Sequence, residues 1–355
     1  MGIPIADTPE ALTPAWLSEV LGAPVAAVSS SYVGTGQMCD SVRLTLGYEG
    51  PVPDDRPASV VAKLPAADPT SRATALQLRS YENEVRFYQQ LAPELPMRTP
   101  AVFHADIDVE TASFVLLLED LAPAEQGDQL AGCTVERAQV AVDELVKLHA
   151  PRWGDRSLLE LEWLARDPEQ GRQLMLAMLP VFWSGFRDRY AERLGPEVHE
   201  VGDSLFTALD RYLVPADEHA TVVHGDYRLD NLLFGGAGGG VPIAVVDWQT
   251  CAIGSALTDV AYFIGAGLLE DVRREAEGDL LRRYHDLLVV AGIDGYSWDR
   301  CQADYALGSF AGLVMALAAS MLVERTARGD DMFMAMAHRH ARHALDLDAP
   351  ALLTS

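Results

Sequence analysis

The sequence predicts an α+β fold in two lobes, the first β-rich and the second helical with one embedded hairpin. Three observations predict it. Short apolar runs of strand length, broken by turn residues, dominate the chain up to Leu121. Beyond Thr134 the apolar positions fall mostly at helical spacing. An island of short apolar runs around Thr221–Val223 then interrupts the helices. Strands come first and helices after, so the pattern is not the βαβ alternation of a parallel sheet. The expected division is 1–121 and 122–355.

Each element has its own signal. Residues 13–21 open the chain with a short helix. Residues 25–33 and 42–48 read as strands around Gly34-Thr35-Gly36, and 60–64 as a third. Residues 73–91 read as one helix, with Leu78, Tyr81, Val85 and Tyr88 on a single face. Residues 101–108 and 113–119 complete an expected five-stranded sheet. The stretch 121–127 breaks the composition and reads as a hinge. Thr134 caps a helix running to about His149, and 168–194 and 197–213 are long helical stretches. Thr221–Val223 is a short strand, 232–234 and 243–246 form a hairpin around a glycine-rich tip, and helices fill about 257–347.

Composition sets limits. The chain has 355 residues, with 52 Asp+Glu against 27 Lys+Arg and a formal net charge of −25. That field disfavours nucleic acid and anionic membrane surfaces and suits a neutral or cationic ligand. Only two of the basic residues are lysines, Lys63 and Lys147. The four cysteines are far apart, in no metal or disulfide spacing. The amino terminus lacks a basic segment followed by an apolar run, and the longest apolar stretch, 308–323, falls short of a membrane span. A cytoplasmic protein is the expectation.

The chemistry concentrates in 222–249. Asp226 and Asn231 stand five apart on a loop after an apolar strand, and Asp247 ends a second one. One carboxylate and one amide oxygen suit magnesium, which takes few protein ligands beside phosphate and water. A further carboxylate can orient a hydroxyl and accept its proton. Metal, positioning and a base are what phosphoryl transfer requires. No GxxxxGK[ST] segment exists, which excludes a Walker-type P-loop.

His224-Gly-Asp-Tyr-Arg-Leu-Asp-Asn231 resembles the HGDxxxxN loop of the aminoglycoside phosphotransferase and choline kinase families, small-molecule kinases with a protein-kinase-like fold. Asp247-Trp-Gln249, followed by Gly254 and Asp259-Val-Ala-Tyr-Phe263, is most similar to the ecdysteroid-kinase-like phosphotransferases. The resemblance covers about residues 25–265 and implies ATP and Mg2+ as cofactors and a small-molecule hydroxyl as acceptor. Asp226 would be the catalytic base, with Arg228 near the γ-phosphate. Asn231 and Asp247 would be the magnesium ligands. Lys63 would contact the α- and β-phosphates, held by Glu84, with Glu82 a competitor on the same helix. Gly34, Thr35 and Gly36 would form the phosphate loop, in which Cys39 replaces the third glycine. Glu119 and Leu121 would mark the segment whose backbone meets adenine. Alternatives are a catalytically silent, pseudokinase-like nucleotide-binding module and a kinase of hydroxyacyl-CoA-type acceptors. His149 reads equally as a helix-terminal packing residue and as a functional one; His338, His340 and His343 invite a metal reading, but they lie near a helical tail among arginines, which argues against it.

Overall fold

The structure is a computed structural model, and it describes residues 2–34, 38–50, 56–214, 217–235 and 242–354. The chain divides into two compact units. The first comprises the residues up to Glu94 with Thr99–Ala124 and Val246–Gln249. The second comprises Leu95–Arg98, Glu125–Val245 and Thr250 onward.

The first unit is built on five antiparallel strands, β1 (Val25–Tyr32), β2 (Cys39–Tyr48), β3 (Ser59–Pro65), β4 (Val102–Asp108) and β5 (Ser113–Glu119), in the order β1-β2-β3-β5-β4. The expected strand count is met. Helix α1 (Pro14–Leu21) starts where Thr13 Oγ1 accepts from Trp16 N–H at 3.2 Å, with Pro14 in the first turn. Side chains alternate along β3. Val60, Ala62 and Leu64 join α1 residues Trp16, Leu17 and Leu21 in one core. Lys63, between them, faces the other side of the sheet.

The helix expected over 73–91 is interrupted. Helix α2 (Pro69–Leu78) ends at Arg79, whose φ of 58° is left-handed and whose N–H closes the last turn on Ala75 and Leu76. Helix α3 (Ser80–Arg86) restarts at once, and Phe87–Leu91 forms a π turn. Arg79 is neither Gly nor Asn, so the apolar spacing runs through the break unmarked. Arg79 Nε donates to Glu82 Oε2 at 2.7 Å across it.

The second unit is mostly helical: α4 (Val135–His149), α5 (Pro168–Arg189), α6 (Pro196–Thr207), α7 (Leu209–Tyr212), α8 (Ala256–Gly267), α9 (Glu270–Val290), α10 (Trp298–Gly308), α11 (Ala311–Leu322), α12 (Ala327–Asp346) and α13 (Ala349–Leu352). Helix α4 is capped as expected, Thr134 Oγ1 accepting from Arg137 N–H at 3.3 Å. The helix expected over 197–213 is two, parted at Ala208. Short strands were less visible in sequence. β6 (Glu125–Gln126) pairs with β8 (Leu232–Phe234) and, through it, with β9 (Ile243–Val245); β7 (Thr221–Val223) pairs with β10 (Ala252–Gly254). β6 and β10, of two and three residues, are too short to show a period.

The 25 residues of Trp298–Leu322 hold an 18-residue window with a mean hydropathy of 1.7, enough by length and composition to cross a membrane, against the shorter stretch expected. They form two helices parted at Ser309 and Phe310, and Phe310, Leu313, Ala316 and Leu317 lie in the core with Trp183 and Phe186.

His340 and His343 are among the fully buried imidazoles of this unit. Burial depresses both below the ordinary histidine range, although Glu277 opposes it at His343, and Arg273 and Arg339 add positive charge nearby. Both rings are therefore neutral in the fold, while the unfolded chain takes up protons below about pH 6.5. Their stability contribution is present above that pH and lost below it, by up to about 1.4 kcal/mol per pH unit for each ring. Urea unfolding between about pH 7.5 and 5.5 is expected to show this slope, and His340→Phe to make it shallower.

Candidate active site

Within the first unit, β3 and α3 bring Lys63 and Glu84 together. Lys63 Nζ donates to Glu84 Oε1 at 2.6 Å and to Asp247 Oδ1 at 3.2 Å. Lys63 and Glu84 are buried, Glu84 completely. Burial alone would push the ammonium down, but the carboxylates of Asp247 and Glu84 hold it well above its ordinary value, so it is charged. Glu82, the competitor, pairs with Arg79 instead.

The Asp247-Trp-Gln segment is seated on the same helical stretch. Trp248 N–H donates to Glu84 Oε1 at 3.3 Å, and its ring stacks on Phe87 with centroids 3.6 Å apart. Asn83 Nδ2 donates to the Gln249 carbonyl at 3.0 Å. Asp247 has a φ of 69°, the left-handed region that aspartate tolerates better than most residues. The glutamate–aromatic spacing Glu84-x-x-Phe87 thus serves two contacts, one with Lys63 and one with Trp248.

Gly34 has a φ of 75°, a conformation suited to glycine at the end of β1. Thr35 and Gly36 lie outside the described residues. Glu119 N–H donates to the Ala101 carbonyl at 2.8 Å, and Leu121 O accepts from Ala124 N–H at 2.9 Å. Asp120, between them and not singled out in the sequence, accepts from Arg43 and from Ser59 Oγ, both at 2.7 Å, and fixes the segment.

In the second unit the loop after β7 is held from several sides. Gly225 has a φ of 79°, and a Cβ there would stand 2.6 Å from the Thr250 carbonyl, so only glycine fits. Asp259, on the first turn of α8, accepts from His224 N–H at 2.6 Å and Gly225 N–H at 2.9 Å, and its Oδ2 faces His149 Nε2 at 3.3 Å. Asp226 Oδ2 accepts from Arg228 Nε at 3.0 Å and Asn231 Nδ2 at 2.9 Å; Oδ1 accepts from Tyr262 Oη at 2.6 Å. Asn231 Nδ2 also donates to the Asp226 carbonyl at 2.8 Å. The amide nitrogen is thereby committed and the amide oxygen remains for a cation. The Asn231 amide oxygen in this unit and the Asp247 carboxylate in the first are each hard oxygen donors, the kind magnesium takes.

Arg228 is turned onto carboxylates, Asp226 and also Asp230 at 2.6 Å. Burial works against its charge and Asp226 outweighs it, so the guanidinium sits above its ordinary value. The other lysine, Lys147, pairs with Glu144 at 2.6 Å on α4. The tail histidines have separate surroundings: His338 meets Glu197, His343 meets Glu277 and Tyr305, and His340 stacks on Tyr262. Among the described residues no group of three or more metal-binding side chains is gathered. Sequence reasoning gave Tyr262 no role. The spacing of Asp259 and Tyr262, three apart on one helix face, is the signal that could have found it.

Residues 36–291 match the ecdysteroid kinase-like family. Solved structures share the fold over nearly the whole chain. Aminoglycoside 2'-phosphotransferase-IIIa, in a GDP complex, is 12% identical, with 92% of this chain and 96% of that one covered and a TM-score of 0.52. A microcompartment-associated aminopropanol kinase is 15% identical, with 91% and 94% covered and a TM-score of 0.52. An ethanolamine kinase of Plasmodium vivax is 11% identical, with 95% and 90% covered and a TM-score of 0.53. Among curated proteins, acyl-CoA dehydrogenase family member 11 of Gallus gallus is 25% identical over 179 residues, 47% of this chain, and the chain spans only 20% of that protein's length. The chain belongs to the ecdysteroid kinase-like family and has the protein-kinase-like fold of these small-molecule kinases.

Proposed function

We propose that the protein is an ATP- and magnesium-dependent kinase that phosphorylates a hydroxyl of a small molecule in the cytoplasm. The observation that carries this reading is Lys63. In a chain with two lysines and a net charge of −25, one of the two is buried and kept charged by Glu84 and Asp247. Such a group is a prepared counter-charge for the α- and β-phosphates.

Gly34, Thr35 and Gly36 cover the phosphates in this reading, and the backbone at Glu119 and Leu121 meets adenine. Asn231 and Asp247 supply oxygen ligands for magnesium, which neutralises phosphate charge when bound. Asp226 orients the acceptor hydroxyl. The hydroxyl oxygen bonds to the γ-phosphorus as the bond to the β–γ bridging oxygen breaks, and the hydroxyl proton passes to Asp226. Arg228 keeps the Asp226 carboxylate in place from beside it.

The test is ADP formation from Mg·ATP over a panel of amino alcohols, aminoglycosides, steroid alcohols and hydroxyacyl-CoA thioesters. Asp226→Ala is expected to lower turnover about 100-fold or more, and chelation of magnesium to abolish it. Turnover that survives Asp226→Ala removes the base. A thermal shift with Mg·ATP and no turnover with any acceptor leaves the silent nucleotide-binding module. The hydroxyacyl-CoA acceptor is the second reading. It is favoured by the acyl-CoA dehydrogenase match and by Arg328, half exposed, 3.6 Å from Asp230 on the loop that carries Asp226.

A further inference from the structure

We propose that Tyr262 is a positioning residue that fixes the Asp226 carboxylate for the acceptor hydroxyl, and that His340 fixes the Tyr262 ring. This rests on the reading of Asp226 as the base. An ionised carboxylate offers about four lone-pair sites. Arg228 and Asn231 occupy two on Oδ2, and Tyr262 occupies one on Oδ1. One site on Oδ1 is left to receive a hydroxyl. Without Tyr262 both donors lie on the Oδ2 side and nothing holds Oδ1.

The tyrosine is itself held. Its ring is buried, and burial together with the Asp226 charge keeps its hydroxyl well above the ordinary tyrosine range, so it remains a proton donor. It lies one turn after Asp259 on α8, so a single helix grips the loop through backbone and side chain at once. His340 of α12 stacks on the tyrosine ring, 4° from parallel with centroids 5.4 Å apart. Neither ring nitrogen of His340 meets a protein donor or acceptor, and the residue is completely buried. With no such partner, the ring contact the imidazole makes is its stacking on Tyr262. Room for it is made by glycine: a Cβ on Gly312 would stand 1.9 Å from Nε2, and one on Gly265 2.8 Å from Nδ1.

The experiment measures Mg·ATP hydrolysis, with water as acceptor, for the wild type, Tyr262→Phe, Asp226→Asn and the double variant. Tyr262→Phe is expected to lower kcat about 10- to 100-fold, the effect of one hydrogen bond to a charged group. The KM for Mg·ATP stays unchanged, and the Asp226→Asn background shows no further loss. His340→Ala is expected to lower kcat in the same way, again with KM unchanged. Wild-type kcat in Tyr262→Phe beside a crippled Asp226→Asn overturns the inference and leaves the base standing. A loss that persists in the double variant also overturns it. Wild-type kcat in Asp226→Asn overturns the base and this inference together. A crystal structure of Tyr262→Phe with Mg·ADP decides independently of rate: a displaced or turned Asp226 carboxylate supports the inference, and an unmoved one overturns it.

Discussion

Lys63→Ala is expected to lose stability and nucleotide-dependent turnover together. The lysine is the cation of a buried pair, and Glu84 has no exposed surface at all. Removing one partner leaves the other charge uncompensated, which costs about 3–5 kcal/mol. Typical stabilities run to about 5–15 kcal/mol, so this is a large share. The same change removes the proposed contact to the α- and β-phosphates.

The two effects separate in a second variant. Lys63→Met with Glu84→Gln replaces the pair by neutral groups of similar volume, so that no buried charge is left without its partner. That double variant is expected to unfold in urea near the wild-type midpoint, yet to give no ADP and a much smaller thermal shift with Mg·ATP. Lys63→Ala as stable as the wild type would show that the pair does not hold β3 to α3. A double variant with full turnover would remove Lys63 from the nucleotide site.

Local pattern carried the strands and the outlines of most helices. Alternation along β3 places Val60, Ala62 and Leu64 in the core and sends Lys63 to the other face. Thr134 and its helix were readable because the cap is a side chain within three residues of its partner. What pattern could not carry is contact between distant positions. Phe87 against Trp248 leaves no local mark, and Tyr262 against Asp226 leaves only the three-residue spacing from Asp259. Arg228, whose place in the loop suggests a phosphate, also donates to Asp226 and Asp230, contacts that the loop's spacing does not announce. Breaks made by ordinary residues, at Arg79 and Ala208, were also hidden, because helical spacing of apolar residues persists across them.

Asp259→Ala is expected to be the most damaging single change in the second unit. The carboxylate has no exposed surface and accepts from two backbone donors, His224 N–H and Gly225 N–H, at the bend before Asp226. An orphaned buried donor costs about 1–3 kcal/mol, so losing both costs about 2–6 kcal/mol. The bend also holds Gly225 at a φ of 79° with no room for a Cβ, so no other residue can take its place there. Releasing it spreads the positions of Asp226, and a displacement of about 1 Å at a catalytic group can cost about 100-fold in rate. Hydrogen exchange reads the first step directly: the His224 and Gly225 amides, protected in the wild type, are expected to exchange quickly in Asp259→Ala. Asp259→Asn keeps one oxygen acceptor but turns an N–H2 toward the second donor, so it is expected to protect one amide at most and to fall short of wild-type kcat. Fast exchange at both amides with kcat intact would mean that the loop does not need to be held for the reaction, and the role given to Asp226 would fail with it.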